Sequence, residues 1–293
     1  MIKSVFQQDL LAPGHMGCPG CGASLAMRLV LEALGPKTLV VMPAGCWSTF
    51  VGLYPSSTLR VPVMSVPFAT TAATASGVRA SLTRQGKEGY TVLAWAGDGG
   101  TFDIGLQALS GAAEKNTDIL YICYDNEAYM NTGIQRSSAT PPGCLTTTTP
   151  VSCLKKEPKK NIIEIMAAHR IPYVASASIG HPQDLMNKVR QAGKIKGTRF
   201  IHLLASCPTG WQHETQLTLE VARQGVQARV HPLFEVHGGL RWVLNPMPEK
   251  KPVDDYLNMQ GRFKAMGIEL RREFQQVVND EWERLLRKCS EQC

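Results

Sequence analysis

The chain has 293 residues, 44% of them hydrophobic, and a formal net charge of +7. That length suits one large α/β domain with an extension, or two domains, and it can bury a sizeable core. No run approaches 18 uncharged apolar residues and the first residues lack the apolar centre of a secretory signal, so no membrane span and a cytoplasmic location are expected. The positive charge does not point to nucleic acid: Lys and Arg are dispersed, and the densest cluster, residues 155–160, reads as a solvated loop or a subunit contact.

Nine cysteines are many for a cytosolic chain: Cys18, Cys21, Cys46, Cys123, Cys144, Cys153, Cys207, Cys289 and Cys293. An odd number without a secretory signal makes a disulfide framework the poorer reading and ligation of a metal or cluster the better one. Taken in chain order, the first chemistry is His15-Met16-Gly17-Cys18-Pro19-Gly20-Cys21, a C-x-x-C knuckle followed by a helix over 23–34. A redox pair, a zinc knuckle and part of a 4Fe-4S site compete for it. A strand over 38–42 leads to Cys46, and a strand over 199–204 leads to Cys207. Cys123 falls inside an apolar strand and reads as a small buried side chain, while Cys289 and Cys293 lie in a terminal tail. Ligation by Cys18, Cys21, Cys46 and Cys207 stands against packing cysteines and an ordinary turn. His15 either bonds a ligand at the knuckle or fixes its turn, and the other histidines show no pairing.

A strand over 61–66 and an alanine-rich helix over 69–84 precede the central unit, residues 96–133. An apolar run over 90–95 stops at Gly97-Asp98-Gly99-Gly100; a short helix carries Ile104, Leu106, Ala108, Leu109 and Ala112; a second run over 119–124 stops at Asp125-Asn126. Strand, glycine turn, helix and strand put both turns at one carboxyl edge of a parallel sheet, where ligands of open α/β sheets bind. The glycines let backbone N–H groups approach a diphosphate, and the helix from about Phe102 directs its positive end at it. Asp98 and Asn126, 28 residues apart, each offer a hard oxygen. With a following backbone carbonyl, taken as that of Ala128, they suit Mg²⁺ shared with phosphate oxygens. An Asp-Gly pair alone is usually just a turn; here the second oxygen at the next strand end makes it more.

Further strands over 172–175 and 199–204, with helices over 162–169 and 182–192, complete about six parallel strands. Residues 139–158 have no period and read as a loop over a cofactor or partner. Beyond Trp211, a helix over 214–226, a Pro-rich connector over 243–252 and a helix over 253–287 interrupted near Gly261 and Gly267 form an extension. Residues 1–212 are expected as the binding domain and 213–293 as a helical arm on another subunit, with a peripheral cap as the plainer alternative.

Six stretches resemble, in order, the β subunit of 2-oxoacid:ferredoxin oxidoreductases, the pyruvate synthase group. They are His15–Gly22, Gly97–Gly105, Tyr124–Gly133, Gln135–Pro141, Thr146–Pro150 and Cys207–Trp211, with a weaker match over Tyr256–Phe263. The resemblance implies a thiamine-diphosphate-binding α/β fold with a mainly parallel sheet. It implies a 4Fe-4S cluster on Cys18, Cys21, Cys46 and Cys207, and Mg²⁺ on Asp98, Asn126 and the carbonyl of Ala128. Ala23, Cys46, Gly97, Gly99, Gly100, Tyr129, Met130, Asn131 and Thr132 would contact the cofactor, with Asn131 facing the reacting carbon. The implied reaction is oxidative decarboxylation of a 2-oxoacid, with electrons passed through the cluster to ferredoxin and coenzyme A taking the acyl group. Trp47-Ser48-Thr49-Phe50, Phe68-Ala69-Thr70-Thr71 and Pro142-Gly143-Cys144 depart from the pyruvate-type pattern, which leaves the substrate open. Thiamine chemistry also needs a carboxylate at the aminopyrimidine ring. Asp98 is committed to the metal, and Asp103, Asp125 and Glu127 are expected on the diphosphate side, so another subunit would bring that carboxylate. The rival readings are a non-redox thiamine decarboxylase with zinc on the cysteines, and a cofactor-carrying structural subunit.

Overall fold

The computed structural model describes residues 9–52 and 55–290. Segment 1–8 and Cys293, considered above for a signal and as a tail thiol, lie outside them. Eight strands form one sheet in the order β2-β1-β3-β4-β6-β5-β7-β8: β1 Thr38–Pro43, β2 Val63–Val66, β3 Thr91–Gly97, β4 Leu120–Asp125, β5 Tyr173–Ser178, β6 Arg199–Leu204, β7 Phe234–His237 and β8 Arg241–Leu244. The first six are parallel, as the apolar runs imply, and β4, β5 and β6 are buried at every position because helices cover both faces.

The helices are α1 Gly22–Leu34, α2 Cys46–Val51, α3 Thr71–Arg84, α4 Leu106–Glu114, α5 Ile162–Ala168, α6 Pro182–Lys194, α7 Pro208–Trp211, α8 Thr218–Gln227, α9 Val253–Asn258 and α10 Ile268–Ser290. One face of the sheet is packed by α1, α2 and α6 around Val30, Trp47, Trp95 and Leu203. The other is packed by α3, α4, α5 and α10 around Phe102, Leu109, Tyr121 and Phe200. Neither α2 nor α7 is anticipated by the sequence, since each is a short turn of helix that begins at a strand end, at Cys46 and after Cys207.

The last eighty residues hold the helices expected, including the breaks at Gly261 and before Ile268. They also hold two strands that were not expected. β7 and β8 pair antiparallel and extend the sheet beyond β5, joined through Gly238 and Gly239, both with positive φ. α10 packs on β8 and buries Phe274, Val278 and Leu285.

The basic stretch 155–160 also differs from its reading as a solvated loop. Lys155 is 3% exposed and donates to the carbonyls of Thr140 and Pro158, and Lys159 and Lys160 both turn inward to acidic or carbonyl partners. Three of its four lysines hold the 139–158 loop down on the domain.

Because α10 fills a sheet face of its own chain, Leu285→Ala is expected to cost about 2–5 kcal/mol in urea unfolding. A loss within about 0.5 kcal/mol, the size of an ordinary surface change, would show that this helix is not part of the core.

Candidate functional site

β1, β3, β4 and β6 are neighbours in the sheet, and their carboxyl ends carry Cys46, Asp98, Asn126 and Cys207 along one edge. A cleft of about 300 Å³ opens there, lined by Cys46, Phe68, Asp98, Tyr129, Met130 and Asn131 among others. Its floor is the glycine turn. The helical path begins at Asp98, runs as a wide π-turn over Gly99–Asp103, and becomes α4 at Leu106, so the expected helix starts several residues early and in a looser form. Glycine is required twice for close approach: a Cβ on Gly99 would lie 2.3 Å from the Tyr129 ring, and one on Gly105 would lie 2.0 Å from the Gly100 carbonyl oxygen.

Asp98 is 1% exposed and accepts from the Ser137 hydroxyl. Burial raises its pKa well above the usual carboxylate value, and neighbouring Asp125 adds to this. The Asn126 side-chain oxygen faces only acceptors, Asp98 Oδ1 at 3.0 Å and the Ala128 carbonyl at 3.0 Å. Two arrangements satisfy such a trio: a rotated amide whose nitrogen donates to both, or a cation among three oxygens. The edge of an octahedron with Mg–O bonds of about 2.1 Å is about 3.0 Å, so the spacing suits the second as well as the first.

What brings the trio together is the residue between them. Glu127 has φ +65°, a left-handed conformation that side chains with a Cβ rarely adopt. It is 2% exposed, and every polar group it has is engaged. Its N–H donates to Asp125 Oδ1 (2.9 Å), its carbonyl accepts from Thr140 Oγ1 (2.7 Å), and its carboxylate meets Lys159 Nζ (2.7 Å) and an Arg262 guanidinium nitrogen (2.6 Å). Asp125 meets Lys159 Nζ (2.6 Å) and His202 Nε2 (2.6 Å). Burial opposes its ionisation, yet Lys159 and His202 hold it below the usual carboxylate range. Asp125 and Glu127 therefore do not face the diphosphate side as expected. They are buried beneath it in a network of ions.

The cysteine half adjoins this one. The Cys21 N–H donates to the Cys18 carbonyl, and the next residue ties the knuckle to the Cys207 turn: Gly22 N–H donates to the Ser206 carbonyl (3.2 Å). Thr218 Oγ1 donates to the Gly20 carbonyl (2.6 Å), bracing the same contact. Burial pushes the Cys46 thiol up to about 12, with Cys207, Cys21 and Cys18 adding to it, and burial pushes Cys207 up to about 11, with Cys21 and Cys18 again adding. The four sulfurs thus lie within electrostatic reach of one another. Among the described residues, no group of three His, Cys, Asp or Glu side chains is placed to hold a single metal ion.

Residues 43–203 match the model of the thiamine pyrophosphate enzyme C-terminal TPP-binding domain. The chain is 49% identical over 290 residues to the ketoisovalerate oxidoreductase subunit VorB of Pyrococcus horikoshii, covering 96% of this chain and 93% of that one. It is 47% identical over 277 residues to the pyruvate synthase subunit PorB of Methanothermobacter thermautotrophicus, covering 93% and 96%. The chain belongs to the thiamine-diphosphate-binding β subunits of the 2-oxoacid:ferredoxin oxidoreductases. As such it is a subunit of an oxidoreductase acting on 2-oxoacids. The fold agrees with a solved 2-oxoglutarate:ferredoxin oxidoreductase from Magnetococcus marinus, with 2-oxoglutarate, coenzyme A and succinyl-CoA bound, at a TM-score of 0.60 and 22% identity, covering 75% of this chain and 81% of that one.

Of the residues the family pattern singles out, Cys46, Gly97, Asp98, Gly99, Gly100, Asn126, Ala128, Tyr129, Met130, Asn131 and Thr132 all line the cleft. Ala23 does not: it lies in the first turn of α1, 4% exposed and packed into the core. Asn131 and Thr132 stand exposed at the rim. Tyr129 donates to Asp103 Oδ2 (2.7 Å), so Asp103 too has a partner within this chain. His15 fixes its turn by accepting from the Gly17 N–H (3.1 Å) and stacking on Phe50. The sequence reading missed Lys159, Arg262 and Trp211, and it missed that His202 pairs with Asp125 and packs edge-on against His231. No local pattern marks Lys159 or His202; Trp211 closes the matched stretch Cys207–Trp211 and Arg262 lies in the weakly matched Tyr256–Phe263, but neither stretch tells what these side chains hold.

The Glu127–Arg262 pair is 1% exposed on each side. Glu127→Gln removes the charge while keeping the shape, leaving Arg262 buried without its counter-ion, and is expected to cost about 3–5 kcal/mol in chemical unfolding. The equivalent change at Glu157, whose pair with Arg136 is 67% and 43% exposed, should cost less than about 1 kcal/mol. Equal costs would remove the buried pair from the account.

Proposed function

We propose that this β subunit holds thiamine diphosphate through Mg²⁺ bound by Asp98, Asn126 and the Ala128 carbonyl, and a 4Fe-4S cluster through Cys18, Cys21, Cys46 and Cys207. The observation that carries the reading is the convergence beside the glycine turn of Asp98 Oδ1, the Asn126 side-chain amide and the Ala128 carbonyl, with the amide 3.0 Å from each of the other two, a spacing that fits the edges of an octahedral Mg²⁺ site. When bound, thiamine diphosphate would supply the electron sink for loss of CO₂ from a 2-oxoacid, and the cluster would supply one-electron transfer toward ferredoxin.

The chain's own residues bind, orient and exclude water. Asp98 and Asn126 give the cation two hard oxygens, and the glycine turn lets backbone N–H groups reach a diphosphate that no side chain crowds. Phe68, Tyr129 and Met130 line the cleft beside it and keep its wall apolar. Asn131, exposed at the rim of the cleft, would offer its amide for a hydrogen bond to the substrate. Cys46 lines the cleft and neighbours the other three thiols, which supports a short path between the two cofactors. The same adjacency favours a redox enzyme over a non-redox decarboxylase with zinc.

One group is missing from this half-site. Asp98 is set toward the cation, Asp103 is held by Tyr129, and Asp125 and Glu127 are locked to Lys159, His202 and Arg262. A carboxylate for the aminopyrimidine ring would come from a partner subunit, in a complex that uses ferredoxin and coenzyme A. No helix among the described residues is long and apolar enough to cross a membrane. The eight described cysteines are free, which suits the reducing cytoplasm.

Asp98→Ala and Asn126→Ala are each expected to abolish Mg²⁺-dependent thiamine diphosphate binding while leaving iron content unchanged; normal thiamine content in both would overturn the assignment. Cys207→Ser should lose or degrade the cluster, whereas Cys123→Ser, buried inside β4, should keep it. Parent-like iron in Cys207→Ser would remove that residue from the ligand set. The isolated, cluster-loaded chain should turn over no 2-oxoacid, and turnover without any other polypeptide would show that the missing base lies in this sequence.

A further inference from the structure

Two turns carry the two halves of the site, and one buried stack joins them from behind. The indole N–H of Trp211, 0% exposed at the end of α7, donates to the Asn126 carbonyl at 2.7 Å. The same helix begins at Cys207, whose sulfur accepts from the Gly210 N–H at 3.4 Å. α7 also presses on the cleft wall: a Cβ on Gly210 would fall 2.2 Å from the Met130 sulfur. Against the Trp211 ring lies the guanidinium of Arg262, its carbon 3.8 Å from the ring centroid.

Arg262 reaches there from the far end of the chain and is 1% exposed. One of its nitrogens meets Glu127 Oε2 at 2.6 Å, Nε donates to Gln260 Oε1 at 2.9 Å, and its own carbonyl accepts from the Leu145 N–H at 2.8 Å. Gln260 is in turn fixed by donating to the Tyr256 carbonyl at 2.7 Å. The guanidinium therefore makes two contacts that no other side chain here makes together. With its edge it holds the carboxylate of the left-handed residue between Asn126 and Ala128, and with its face it holds the indole that links Asn126 to the Cys207 helix.

We propose that Arg262 is a positioning residue that holds the Asn126–Ala128 turn in its ligating shape and, through Trp211, fixes the Cys207 turn against it. The proposal rests on reading Asp98, Asn126 and Ala128 as the cation's oxygens. A planar guanidinium suits this place because it pairs with a carboxylate in its plane while stacking on an aromatic face, which a lysine ammonium cannot do. Arg262 touches neither oxygen nor sulfur ligand directly. It acts through Glu127 and Trp211.

The test uses the intact complex purified without oxygen, with two readouts: Mg²⁺-dependent affinity for thiamine diphosphate by calorimetry, and the electron paramagnetic resonance spectrum of the reduced cluster. Arg262→Met is expected to weaken the affinity by about 10- to 100-fold, the usual effect of removing a partner that orients a metal ligand, and to shift the spectrum. Arg262→Lys, which keeps a charge for Glu127 but loses the stack, should lose less affinity than Arg262→Met while still shifting the spectrum. Trp211→Phe keeps a ring for stacking but loses the N–H along with part of the indole's volume, and should weaken the affinity by about tenfold with iron content retained. Arg272→Met, on the exposed face of α10, serves as the control that changes neither readout. Parent-like affinity and spectrum in both Arg262→Met and Trp211→Phe would overturn the proposal. If Arg262→Met does not assemble, Trp211→Phe decides alone, and parent-like behaviour there overturns it. A failure of the underlying site reading looks different: Asp98→Ala would then bind thiamine diphosphate as the parent does.

Discussion

The left-handed turn at Glu127 is the constraint from which the site follows. A residue with a Cβ pays roughly 1–2 kcal/mol for that conformation. Here it reverses the chain between Asn126 and Ala128, so that the Asn126 side-chain amide and the Ala128 carbonyl come to the same place beside Asp98. Four contacts hold it there: the Asp125 carboxylate on its N–H, the Thr140 hydroxyl on its carbonyl, and Lys159 and Arg262 on its carboxylate. A glycine would adopt the same φ without strain, but it would offer nothing for the two cations to grip. The strain and the buried charge belong to one device, which sets two oxygens by over-determining the residue between them.

The sheet explains why this device sits where it does. β4 and β6 run side by side in the middle of eight strands, buried on both faces, so Asp125 at the end of one and His202 within the other can pair below the surface. Burial lowers the His202 pKa, although Asp125 works to raise it. On the opposite face, Tyr124 stacks on Trp95 and packs against Gly97, keeping the cleft floor rigid. The Asn126–Ala128 turn is thus braced by ions on one side of the sheet and by aromatic packing on the other.

Much of the site was legible because its chemistry lies at strand ends, and strand ends are local. Asp98 and Asn126 follow apolar runs by a residue or two, and the cysteine knuckle announces itself over four positions. The braces were not legible, since each joins residues distant in sequence: Lys159 to Glu127 across 32 residues, His202 to Asp125 across 77, Trp211 to Asn126 across 85 and Arg262 to Glu127 across 135. A lysine bound for a buried carboxylate looks like any other in a basic loop, which is why residues 155–160 read as solvated. The β7–β8 hairpin is a different kind of miss. Phe234-Glu235-Val236-His237 alternates inward and outward before Gly238-Gly239, a pattern that local reading can find. The Pro-rich connector expected over 243–252 overlaps only the end of β8, and no element was expected at β7.

The most direct test of the account is where a cation binds. Crystals of the complex grown with Mn²⁺ in place of Mg²⁺ and with thiamine diphosphate would place the metal by its anomalous scattering. The account predicts one peak between the Asp98 carboxylate, the Asn126 side-chain oxygen and the Ala128 carbonyl, each about 2.1 Å away, with Glu127 still left-handed. A metal bound elsewhere, or a cofactor seated with Asn126 donating its amide nitrogen to Asp98 and Ala128, would contradict it.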